Sequence, residues 1–143
     1  MRIAFENLPV NFPSPNQLRN WLQAVAQHHR VVLGQVAYRF VDGTTMLCMN
    51  QRYLQHDTDT DILTFDYSKG GLCSYEAIIN LEMLAHNAST FSQSTENELI
   101  RLLSHAFLHV LGLNDKRPEE KEAMRTAEEE AIAMFHVKHT SDV

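Results

Sequence analysis

The run from Glu96 to Leu111 most limits the folds open to this chain. Leu99, Leu102, Leu103, Ala106 and Val110 recur there three and four residues apart, so one whole face of a helix has to be buried. Thr95 and Glu98 stand in the order of a capping box at its start. Gly112 follows as the C′ residue, where a left-handed backbone ends the helix at least cost.

Three β-rich runs supply a surface for that face. Residues 34–41 (GQVAYRFV) alternate, with Val36, Tyr38 and Phe40 on one side. Residues 61–67 (DILTFDY) and 75–81 (YEAIINL) are divided by the turn signal Lys69-Gly70-Gly71. Ser14 and Pro15 open a helix with Leu18, Trp21, Leu22 and Val25 on its inner face, running to about His28. Further helices are predicted over Thr45–Gln55 (Met46, Met49 and Tyr53 inward), over Glu82–Ser89, and from Pro118 to about Phe135 with Met124, Ala127, Ala131 and Phe135 inward. This order predicts an α+β fold: a single mixed sheet packed with helices, mainly on one face.

At 143 residues, with no internal repeat or linker, one domain over residues 1–143 is expected. The opening segment lacks a leader-like apolar region and no stretch reaches the ~20 apolar residues of a membrane span, so a cytoplasmic protein is expected. Cys48 and Cys73 sit in no metal-type spacing and read as small buried hydrophobes. The net charge of −6 argues against nucleic-acid binding by global attraction. Six glutamates (119, 120, 122, 128, 129, 130) concentrate in the last helix, where they read as a solvated face. A local basic patch remains open around Lys69, Arg101, Lys116 or Arg117.

The chemistry-bearing segment is HAFLHVLGLND, residues 105–115. His105 and His109 are four apart on the strongest helix, neighbours on one face at a spacing that lets two imidazoles share a metal ion. The turn at Gly112 can bring back Asp115 as a third ligand. Two imidazoles and a carboxylate leave a position for water, as catalytic zinc sites require. Spacing alone leaves a second reading open, an incidental pair in a chain with eight histidines. The HExxH protease pattern is not met, because Ala106 stands where its glutamate would be. Asp57, Asp59 and Asp61 imitate the opening of a calcium loop, but Ile62 and Ser68 fall where its Gly and Glu are needed. Thr60 and Asp61 read instead as residues that fix the turn into a strand. His28, His29, His56 and His86 have no partner at ligand spacing, and His136 and His139 read as part of a frayed C-terminal tail.

The segment ELIRLLSHAFLHVLGLND, residues 98–115, resembles the signature of the YbeY endoribonucleases, H-G-x-L-H-L-x-G-Y-D-H. Upstream, Asn50 and Tyr53, then Thr60 to Phe65, resemble that family's N-x-x-Y-R and T-D-V-L-S-F blocks, and EAIIN, residues 76–80, falls where it has a G-D/E-I strand. The family's third histidine falls on Asp115, the Gly after its first histidine on Ala106, and its site arginine on Leu54.

The resemblance implies a metal-dependent, single-strand-specific endoribonuclease of ribosomal RNA maturation, at the 16S rRNA 3′ end, and of ribosome quality control. It implies one divalent ion, zinc, held by His105, His109 and Asp115, with the metal-bound water as the only catalytic group named. Its implied partners are single-stranded or ribosomal RNA, ribosomal proteins or assembly factors, and neither DNA nor membrane. Leu54 and the net charge keep an alternative open: a non-catalytic, metal-stabilised maturation factor that docks on RNA or on a basic protein. A metal-dependent hydrolase of a small molecule is the third class.

Overall fold

The computed structural model describes residues 1–54 and 60–140, and the side chains of these except at positions 53, 54 and 138–140. Its elements are β1 (Arg2–Glu6), α1 (Pro15–His28), β2 (Val32–Val41), α2 (Gly43–Leu54), β3 (Ile62–Asp66), β4 (Leu72–Asn80), α3 (Leu81–Thr90), α4 (Thr95–Val110) and α5 (Pro118–Thr140). The strands form one mixed sheet in the order β1-β2-β4-β3, with β1, β2 and β4 parallel and β3 antiparallel to β4. The α+β expectation holds. Among the described residues no helix is long and apolar enough to cross a membrane.

Alternation along the strands divides the apolar residues between two cores. Ile3, Val36, Tyr38, Phe40, Tyr75, Ala77 and Ile79 join the main core with α1, α3, α4 and α5. Ile78 and Leu63 turn the other way, onto Met46 of α2. Helix α4 is the centre of the main core, and Leu99, Leu102, Leu103, Ala106 and Phe107 are each at most 1% exposed. Tyr38 donates its hydroxyl to Leu103 O at 2.8 Å and meets the Tyr75 hydroxyl at 2.5 Å, so the sheet and α4 share buried polar contacts as well as area.

Several boundaries follow from local chemistry. Ser14 caps α1 and Gln17 completes the capping box, as the Ser-Pro start predicted. Gly112 adopts φ 108°, and the N–H groups of Gly112 and Leu113 reach His109 O (3.0 Å) and Leu108 O (3.1 Å), closing α4 with a Schellman turn.

Other expectations are corrected. Strand β1 went unread because its five residues show too little alternation to stand out; parallel pairing with β2 makes it a strand. The cap of α4 is Ser94, whose hydroxyl accepts from Asn97 N at 3.0 Å, not a Thr95/Glu98 box. Glu98 is only 3% exposed and turns inward to Arg101. Helix α2 starts at Gly43 rather than Thr45, because Asp42 accepts the Thr45 N–H at 2.7 Å. Helix α5 runs past Phe135, held by that ring on Trp21 (centroids 6.4 Å apart) and by a 2.7 Å hydrogen bond between His136 and Asn97. His136 is therefore not in a frayed tail. Cys73 is buried as expected, whereas Cys48 is exposed.

Candidate metal-binding cleft

Because α4 is covered by the sheet on one side and α5 on another, only one stripe of its last three turns reaches solvent beside β3. Arg101, His105 and His109, each four residues from the next, form that stripe. Strand β3 is the edge of the sheet, and between it and α4 lies a cleft of about 240 Å³ lined by Ile62, Leu63, Thr64, Phe65, His105 and His109. The two histidines of the sequence motif thus share one cleft wall.

His105 is half-buried, and its Nδ1 lies 2.7 Å from Oε2 of Glu128, a buried carboxylate on α5. An ionised carboxylate can only accept, so Nδ1–H is the donor, and in the neutral ring Nε2 keeps its lone pair. Burial lowers the affinity of this imidazole for a proton, but the hydrogen bond and charge of Glu128 outweigh it, with help from Asp115 and opposition from Arg101, and the net shift is upward. His109 is exposed on the last turn of α4. The Asp66 carboxylate is held below its ordinary value first by the Ser68 N–H at 2.8 Å, and to a lesser degree by His109.

Asp115 lies exposed three residues beyond Gly112. Its charge is felt by His105, but among the described residues no three His, Cys, Asp or Glu side chains converge at metal-ligand distance. The donor chemistry of the two imidazoles suits a divalent ion, and the carboxylate behind His105 is the support such ligands commonly have. The third donor does not stand beside them.

Glu128, the carboxylate that bonds His105, was not singled out from the sequence. Its position was legible: Met124, Glu128, Ala131 and Phe135 repeat four, three and four residues apart, and all are buried, so the glutamate falls on the inward stripe of α5 rather than on its solvated face. Arg101 also differs from expectation. Its guanidinium bonds Glu98 at 2.6 and 2.8 Å and reaches Asp61 at 3.4 Å and Glu128 at 3.7 Å, so it is no open basic patch. The Glu98 hydrogen bond, more than the opposing burial, drives its pKa upward and keeps it charged. Asn87 of α3 donates to both Asp61 (3.1 Å) and Glu98 (3.3 Å). Behind the cleft, this network joins the start of β3 to α3, α4 and α5. The Asp61 carbonyl accepts the Asn80 N–H at 3.0 Å, which extends the β3–β4 pairing by one residue, while its carboxylate belongs to the Asn87–Arg101 network rather than to a turn. The side chains of Leu54 and His139, and residues His56, Asp57 and Asp59, lie outside the described residues.

Fold and cleft together define an α+β protein with a histidine-lined groove beside the open edge of its sheet. The family model described as Endoribonuclease YbeY matches residues 6–136. An Endoribonuclease YbeY of Bacteroides fragilis is 38% identical over 136 residues, covering 94% of this chain and 98% of the relative. One from Flavobacterium johnsoniae is 41% identical over 134 residues, covering 92% and 96%. The solution structure of TM1509 from Thermotoga maritima superimposes with a TM-score of 0.68 at 19% identity, over 99% of this chain and 93% of that one, a likeness of fold alone. The chain belongs to the Endoribonuclease YbeY family.

Proposed function

We propose that this chain, as a single domain over residues 1–143, is a metal-dependent endoribonuclease that cleaves single-stranded RNA in ribosomal RNA processing, and that His105, His109 and Asp115 hold its divalent ion. Zinc is the ion that best suits two imidazoles and a carboxylate. When bound, such an ion supplies Lewis-acid polarisation of a phosphate and a lowered pKa for water. The chain's own residues have separate tasks. Glu128 accepts the His105 Nδ1–H and so presents Nε2 as the free ligand atom. Arg101 neutralises Glu128 and Glu98, and the edge strand from Ile62 to Phe65 forms the opposite wall. The finer assignment is maturation of the 16S rRNA 3′ end and ribosome quality control, in the cytoplasm, beside ribosomal proteins or assembly factors.

The observation that carries this reading is the shared cleft of His105 and His109, with His105 Nδ1 held 2.7 Å from Glu128, in a chain of this family. One feature favours a non-catalytic maturation factor instead: Leu54 stands where the resemblance places an arginine. Metal analysis of the purified protein, with RNA cleavage assayed before and after chelation, decides between them. Cleavage lost with the metal and restored with it supports the enzyme; bound metal without any cleavage supports the docking factor.

A further inference from the structure

Next to the cleft along the chain, a second groove of about 510 Å³ lies between the β3–β4 turn, the C-terminal turn of α4 and the segment that follows α1. Its lining includes Arg30, Ser68, Lys69, Leu72, Val110 and Leu111. It holds two cations and no carboxylate, in a chain whose net charge is −6. Among the described residues, neither Arg30 nor Lys69 is ion-paired, in contrast to Arg101 with its three carboxylates.

Arg30 is also in an unusual backbone state. It follows α1 as the C′ residue with φ 58°, its N–H on Gln27 O (3.0 Å) and the Val31 N–H on Ala26 O (2.9 Å). Glycine fits that position best, as it does at Gly112, and here an arginine stands in its place.

We propose that this groove carries the sugar–phosphate backbone of the RNA strand as it leaves the cleft, with Arg30 and Lys69 as its phosphate contacts. The proposal rests on the RNA-cleaving reading above and extends it to the path of the substrate. His109 lines the cleft and Val110, the next residue of α4, lines the groove, and this adjacency gives the strand its direction. The paired charges give it the chemistry of a polyanion site with no preference for base.

The test uses the full chain and an oligo(U) 12-mer, with binding followed by fluorescence anisotropy in chelator across a salt series and cleavage followed separately with metal. Arg30→Gly removes a cation at a position where glycine relieves the backbone, and Lys69→Gln keeps the turn, so the double variant should fold. Each phosphate contact on a single strand contributes about 0.7 to the slope of log affinity against log salt. The double variant should therefore lose about 1.4 from that slope and bind about 25-fold more weakly at 0.1 M salt. An unchanged slope and affinity overturns the groove and leaves the nuclease reading standing. Salt-dependent binding by the wild type without cleavage removes the nuclease reading and keeps the groove. A wild type that neither binds RNA in chelator nor cleaves it with metal removes both.

Discussion

Glu128 of α5 holds Nδ1 of His105 of α4 at 2.7 Å, which makes the last helix part of the cleft although it lines none of it. Losing such a support typically costs 10- to 100-fold in metal affinity. We expect Glu128→Ala to weaken binding by about 10- to 100-fold, and Glu128→Gln, which keeps an acceptor oxygen without the charge, by less. Competition against a chromophoric chelator measures this, with circular dichroism to show that the fold is kept. Equal affinity in all three proteins would make Glu128 a purely structural residue.

Asp115 is the expected ligand whose place the fold leaves most open. If it completes the site, Asp115→Ala weakens metal binding, and Asp115→His retains it while shifting preference towards zinc over manganese, because nitrogen replaces a harder oxygen. Titration of each variant with both ions reads this out. Unchanged affinity in Asp115→Ala would place the third ligand elsewhere.

How much of this was legible beforehand depended on whether the signal was local. The start of α1 at Ser14-Pro15 and the end of α4 at Gly112 are set by residues adjacent in the chain, and both were predictable. Strand β1 was not, since five residues become a strand only through β2. Glu98, read as a capping-box residue, and Glu128, read as part of a solvated face, are both buried, and Arg101 with Asn87 and His105 supplies the partners that make this tolerable. The His105–His109 pair was legible and so was the inward position of Glu128, but the contact of Glu128 with His105 was not, because the two helices meet only in the fold.

Asp42 offers a pH signature away from the cleft, at the start of the helix that carries Asn50. The Thr45 N–H lowers its carboxyl below the ordinary value. A folded pKa below the unfolded one contributes stability above the unfolded value, about 3.9, and loses it as pH falls through the folded value. The Tm of the wild type should therefore exceed that of Asp42→Ala at pH 6, and the difference should shrink as pH falls below about 4. A gap independent of pH would mean that the carboxylate does not cap α2.

Leu54 stands where the resemblance places the family's arginine. A bidentate guanidinium on a phosphate oxygen is worth about 10² to 10³ in rate when lost. Leu54→Arg should raise kcat for single-stranded RNA by up to that factor with little change in KM. An unaltered kcat would mean that this chain uses another group, or none, at that step.

The central claim is that RNA cleavage occurs at the metal held by His105 and His109, and one assay tests it directly. Cleavage of a labelled single-stranded RNA is followed with wild type and His105→Ala protein purified in parallel, with the metal content of each preparation measured. The account predicts metal-dependent cleavage by the wild type that chelation removes and metal restores, and loss of both metal and cleavage in His105→Ala. Equal cleavage by the two proteins, or cleavage that survives chelation, would contradict it.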